Sequence, residues 1–267
     1  NPARVEVIAN GLPLAALPES GQRDPTLILA VGRLVEKKGF DVLIEACRSM
    51  SDAGREFRCV IVGDGEMRDD LAERIGAAGI GSCVELFGPA PSDVVLDLMT
   101  QARVLVAPCV TGSDGNQDAL PTVILEAMAL GLPVVTTAVG GITEMVEHMR
   151  EGGIVPERDP SALADAIGGL LDDERLWRAM SAAGPGTVRD RFDQEVTIRR
   201  LAVVLGLAER ALGGRVRGAV AGWMPVAIAG RGGAAVAVGG LWLGQPAGLL
   251  EFAVHAGLEQ RVEPLAF

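Results

Sequence analysis

Two carboxylates are placed where chemistry is possible. The run Pro121–Gly131 reads as a short helix that is apolar on every face except at Glu126. A helix of that kind is normally buried. An ionised carboxylate on it is costly unless something pairs with it. Asp118 precedes it in the polar loop Thr111–Thr122, so two acidic groups bracket a helix N-terminus. Thr122 and Glu126 are four apart and share a face. From there Glu126 can accept hydrogen bonds from two vicinal ribose hydroxyls. Free amides at the helix start favour a phosphate or a polarised sugar oxygen, and Pro121 suits a first helical turn. The residues equally allow Glu126 to pair with a buried arginine and Asp118 merely to shape its loop.

Three further loops follow apolar runs and precede helical patterns. In Gly32–Gly39, Arg33 and Lys38 could converge on one anion, Arg by a forked contact and Lys as a point charge. A solvated basic loop fits the same residues. Gly63-Asp64-Gly65 begins like a dinucleotide turn, but Arg68 stands where the third glycine belongs, which counts against NAD. A tight strand-to-helix turn also explains both glycines. Gly88 and Pro89 end a strand or form a wall for a flat base. His148 reads as a solvated histidine near a helix end, beside Glu144 and Glu147; His255 lies in a tail with no pattern to place it.

These loops need strands and helices to position them. Apolar runs at Val5–Ala9, Thr26–Val31, Arg58–Val62, Val84–Phe87, Val104–Ala107, Pro133–Thr137 and Gly153–Val155 have strand length. Helical patterns near Phe40–Ala53, Met67–Ala78, Pro91–Ala102, Thr122–Leu130 and Ile142–Met149 separate them. Continuous Val/Ile/Leu strands alternating with helices imply an α/β fold, a parallel sheet with helices on both faces. Ligands of such folds sit at the carboxyl ends of the strands. Ser161 is placed to cap a helix after Pro160, another helix covers about Glu174–Ala183, and Asp193 is placed to cap a last one through Leu205.

The net charge of −11 makes nonspecific binding to nucleic-acid phosphates improbable. Absent tyrosine and scarce aromatics weaken an RNA-stacking surface. Cys47, Cys59, Cys83 and Cys109 lack metal spacing and read as structural thiols of a reducing compartment. Residues 213–267 are rich in Gly, Ala and Val, with no convincing membrane span. They read as an out-of-frame translation of GC-rich DNA, a loosely packed appendage or a membrane-surface segment.

Taken in order, VIANGL, ILAVGRLVEKKGFDVLIEA, IVGDGEMRDDL, VELFGPAP and DALPTVILEAMALGLPVVTTAVGGITEMVEH resemble the C-terminal domain of a GT-B glycosyltransferase, most closely family 4. The resemblance covers about residues 3–205. It implies a Rossmann-like donor-binding domain over 1–212, an irregular tail over 213–267, and an N-terminal acceptor domain that lies outside the chain. The start at Asn-Pro rather than Met agrees with that expectation. The family's motif of Glu, seven residues, Glu maps to Asp118 and Glu126. By resemblance Glu126 holds the ribose and Asp118 reaches the donor sugar, with a reach one methylene shorter than the family's Glu. Arg33 and Lys38 hold the diphosphate, and amides near Leu120, Thr122 and Val123 bind phosphate or sugar. Gly63, Gly65 and Gly88 line the nucleobase side.

The implied reaction moves a sugar from a nucleoside-diphosphate sugar to an acceptor hydroxyl with retention, in polysaccharide or glycan synthesis. No metal or other cofactor is expected. The implied setting is cytoplasmic, and the resemblance allows peripheral placement at the inner face of a membrane. The chain alone is expected to bind nucleotide weakly and not to transfer sugar. The alternatives are a non-catalytic nucleotide-sugar-binding module acting through a partner chain, and an NAD-dependent oxidoreductase.

Overall fold

The computed structural model describes residues 6–8, 11–19, 21–118, 121–204, 226–229 and 235–238. In chain order the elements are β1 (Glu6–Ile8), β2 (Leu27–Val31), α1 (Phe40–Asp52), β3 (Arg58–Val62), α2 (Arg68–Ala78), β4 (Val84–Gly88), α3 (Ser92–Gln101), β5 (Val104–Ala107), α4 (Thr122–Ala129), β6 (Val134–Thr137), α5 (Ile142–Met145), β7 (Gly152–Val155), α6 (Pro160–Asp172), α7 (Glu174–Phe192), α8 (Gln194–Val204), β8 (Val226–Ala229) and β9 (Ala235–Val238). The chain divides into two units, Leu14–Arg189 and a smaller one built from Asn1–Pro13 with Asp190–Phe267.

The larger unit is a six-stranded parallel sheet in the order β4-β3-β2-β5-β6-β7, with helices on both faces. Strands β5 and β6 are buried along their whole length, and β2 and β3 along all but one residue. Burial from both faces is why these strands read as unbroken apolar runs. Helix α1 packs on α2 and α6, and its Phe40, Leu43, Ile44 and Cys47 join Ile28, Ile61, Val106 and Ile167 in the core. Helix α4 lies on β5 and β6. From β2 the chain works outward to β3 and β4, then crosses over to β5 and works the other way. The strand order therefore reverses between β2 and β5, and their carboxyl ends open a crevice at that switch point.

Each expected strand of this sheet forms within a residue or two of its predicted place, but several details differ. Strand β1 lies outside the main sheet: in the smaller unit it pairs in parallel with β9, which pairs antiparallel with β8. Two strands are thus present in the stretch expected to be irregular. Asp159, not Ser161, caps α6, because its carboxylate accepts from the Ala162 amide at 2.9 Å. Asp193 accepts from the Glu195 amide at 2.8 Å at the start of α8. Helix α7 runs past Ala183 to Phe192, with Pro185 inside it. Gly184 lets α7 approach α4 closely, since a Cβ there would lie 2.6 Å from the Met128 carbonyl oxygen. Helix α5 ends at Met145, where Val146 turns extended, so His148 is not on a helix. All four cysteines are free thiols. Among the described residues, no helix is long and apolar enough to cross a membrane.

Candidate functional site

The loop after β2 forms a 3-10 turn at Glu36–Lys38, closed by Gly39 in the left-handed region at φ 64°. The loop after β5 runs from Pro108 toward α4 and carries Asp118. Because β2 and β5 are neighbours, the two loops meet. Lys38 donates to the Asp118 carboxylate in an ion pair, and Lys37 Nζ lies 3.2 Å from its other oxygen. The Asp118 side chain is only 11% exposed, so this is a largely desolvated cluster in which two ammonium groups share one carboxylate. The Cys109 thiol donates to Asp118 at 3.9 Å. Burial, and next the Asp118 charge, push this thiol up to about 12, so it stays protonated as a donor.

The start of α4 supplies the second half of the site. Pro121 takes the N-cap position, one residue before the first helical turn. Thr122 and Val123 stand in that turn, whose N–H groups lack intrahelical acceptors. Glu126 is half-buried between Leu125 and Ala127. Among the described residues its carboxylate makes no hydrogen bond or ion pair, so the alternative of a buried arginine partner does not hold. Burial raises its pKa above the usual carboxylate value.

The loops after β3 and β4 are knitted to the loop after β2. Leu34 N donates to Asp64 O at 2.9 Å, Met67 N to Leu34 O at 2.9 Å, and Gly63 N to Gly88 O at 2.9 Å. A Cβ at Gly63 would fall 1.9 Å from Gly32 O, and one at Gly65 2.5 Å from Leu34 O. Close backbone approach alone therefore accounts for both glycines. Gly88 is buried beside the Arg68 guanidinium. Arg68 begins α2, and its buried Nη1 has no hydrogen-bond partner among the described residues. Phe87 next to it is 44% exposed.

The structure brings Lys38, Asp118, Thr122, Val123 and Glu126 to the β2 and β5 loops and the helix they feed. It does not pair Arg33 with Lys38. Arg33 is exposed and without an ion pair among the described residues, and Lys37 joins Lys38 instead. Leu120 and His255 lie outside the described residues. His148 is exposed, and its Nδ1 accepts from the Ile154 amide at 3.0 Å, which gives it a role in the turn before β7. Sequence reasoning missed Lys37, Glu36, Cys109 and Arg158. The Lys37-Lys38 doublet was a visible signal for the first. Glu36 and Arg158 act across long sequence separations that no local pattern reports, and Cys109 reads as a plain core thiol.

A hollow of about 640 Å³ opens at the other end of the sheet, lined by Arg23, Arg103, Leu130 and Trp177 among others. Arg23 donates to the carbonyls of Met99, Ala102 and Leu130, at the C-termini of α3 and α4. Arg103 pairs with Glu174 at 2.7 Å and lies 4.5 Å from the Trp177 ring centroid. These groups satisfy one another and the helix ends, which favour cations. Despite its size the hollow is a structural joint.

The fold and the charged switch-point crevice together define a doubly wound Rossmann-like unit of the GT-B glycosyltransferase type. The chain belongs to the group 1 glycosyl transferases, whose family model matches residues 17–187. It is 36% identical over 181 residues to AmsK of Erwinia amylovora, an amylovoran biosynthesis glycosyltransferase, covering 68% of this chain and 44% of the relative. It is 31% identical over 186 residues to a GDP-mannose-dependent α-(1-6)-phosphatidylinositol monomannoside mannosyltransferase of Mycolicibacterium smegmatis, covering 69% of this chain and 49% of that one. The chain thus spans less than half the length of these curated relatives. Among solved structures it is similar in fold to Anabaena HepE in complex with UDP-glucose, with a TM-score of 0.65 and 23% identity over 75% of this chain and 57% of HepE.

Proposed function

We propose that this chain is the donor-binding part of a retaining glycosyltransferase of the family 4 type, acting in polysaccharide or glycan synthesis. The observation that carries the reading is Glu126: a half-buried carboxylate without a partner among the described residues, one turn into the helix that opens at the switch point. A ribose is a suitable partner, because two vicinal hydroxyls satisfy one carboxylate and restore the hydrogen bonds lost on burial. The amides of Thr122 and Val123 face the same helix end and suit a phosphate. Lys38, with Lys37 beside it, supplies positive charge for the diphosphate, and Asp118 lies at the sugar end.

In the proposed reaction the bond from the anomeric carbon to the diphosphate oxygen breaks. The acceptor hydroxyl oxygen bonds to that carbon and gives up its proton to the departing diphosphate oxygen. Charge builds on the departing diphosphate, and ammonium groups already in place stabilise it without reorganisation. Arg33, exposed on the same loop, is proposed to turn toward the diphosphate. The acceptor is proposed to be held by a further domain, in keeping with the chain's share of its relatives' length.

Calorimetric titration with UDP, GDP and ADP tests the reading, since one relative is named for GDP-mannose and a structural neighbour holds UDP-glucose. One nucleotide is expected to bind, and Glu126→Ala is expected to weaken it at least about a hundredfold, the scale of about 2.7 kcal/mol for a lost pair of charge-assisted hydrogen bonds. Unchanged affinity in the variant would remove the ribose assignment.

A further inference from the structure

The loop that delivers Asp118 is held from two sides at one short segment, Thr111–Ser113. Glu36, in the turn after β2, accepts from the Ser113 amide at 3.0 Å and from its hydroxyl at 2.7 Å. After β7, Glu157 accepts from the Thr111 amide at 2.7 Å. Its neighbour Arg158 donates to the Thr111 carbonyl at 2.8 Å and reaches Glu36 at 3.4 Å, tying the two sides together.

Arg158 has φ 55°, a left-handed conformation that side-chain-bearing residues seldom adopt and that glycine adopts freely. A side chain at such a position needs a compensating contact. Arginine provides one, because its Nη2 reaches the Thr111 carbonyl and the Glu36 carboxylate at once. Arg158 is 50% exposed and Glu36 43% exposed, so their ion pair adds little to global stability. What it does define is the local position of the β5–α4 loop.

We infer that Arg158 is a positioning residue: bridging Glu36 and Thr111, it sets how Asp118 is presented to the donor sugar. The inference rests on the reading of Asp118 and Glu126 given above. It predicts a split that a merely structural residue would not show. Asp118 depends on the clamped loop, whereas Glu126, the proposed ribose group, sits on α4. Loosening the clamp should harm recognition of the sugar and spare the nucleotide.

The test uses the full chain with Arg158→Gly, which keeps the backbone conformation without strain, and Arg158→Lys. Hydrogen exchange is followed in the peptide spanning Thr111–Asp118, and calorimetry compares a nucleoside diphosphate with its hexose conjugate. In Arg158→Gly the loop should exchange about tenfold faster, as a local opening does. The conjugate should bind about tenfold more weakly, a typical cost of misplacing a contact, with the diphosphate within about twofold. Arg158→Lys should fall between. Unchanged loop exchange, or equal weakening of both ligands, would overturn the inference. If the wild-type chain binds neither ligand, the donor reading fails by itself; loop exchange then decides, with faster exchange supporting the positioning role and unchanged exchange overturning it.

Discussion

Glu126 carries a cost that its own helix does nothing to offset. Its folded-state pKa is raised by burial, so between the unfolded and folded values the native state binds more protons than the unfolded one. By linkage this group's contribution is fully present below the unfolded value and is lost as pH rises through the folded value. Glu126→Gln is therefore expected to stabilise the chain at neutral pH by on the order of 1 kcal/mol, the usual size of a stability gain at a functional position. The gain should shrink as pH falls below the carboxylate range. Thermal unfolding of both proteins from pH 4 to pH 8 checks this, and a constant difference would sink it. Lys38 works in the opposite sense. Removing it leaves a mostly buried Asp118 with Lys37 as its remaining cation, so Lys38→Ala is expected to cost roughly 1–3 kcal/mol in urea unfolding. If Lys38→Ala unfolds at the wild-type midpoint, the pair contributes nothing.

The elements explain why some glycines and caps were readable and others were misassigned. Gly63 combines φ 144° with a Cβ position 1.9 Å from Gly32 O. No side chain fits without separating the β2 and β3 loops, so Gly63→Ala should destabilise by more than about 2 kcal/mol, in the range of strained backbone substitutions. Urea denaturation measures that loss, and a cost below about 0.5 kcal/mol, typical of surface changes, would refute the close approach. Expected strands matched because burial on both faces leaves a plain mark in the sequence. Helix ends matched less well. Asp159 and Ser161 flank Pro160, and both are good caps; only the geometry shows that Asp159 takes the amide. The length of α7 was hidden because Pro185 reads as a stop, whereas packing of Gly184 on α4 carries the helix through it.

At the scale of the molecule, the chain spans less than half the length of these curated relatives. On the proposed function the chain alone is expected to bind its nucleotide and to show no sugar transfer to added acceptors. Measurable turnover by the isolated chain would contradict this, and it would equally dismiss the reading as a non-catalytic binding module.

The amino-acid sequence by itself determined the alternation of strands and helices, the loops that bear chemistry, and Asp118 and Glu126 as the carboxylates worth following. These follow from patterns within a few residues: apolar runs, turn glycines, and one charge in an apolar helix. Only the tertiary structure decided what those groups meet. It gave Asp118 to Lys37 as well as Lys38, left Arg33 exposed, and left Glu126 unpaired among the described residues. It also joined Glu36 to Ser113 across 77 positions. The reason is strand order. Periodicity reports which side of an element is buried, but the placement of β2 beside β5 depends on a crossover that the sequence does not mark locally. That placement brings the two loops, and their charges, together.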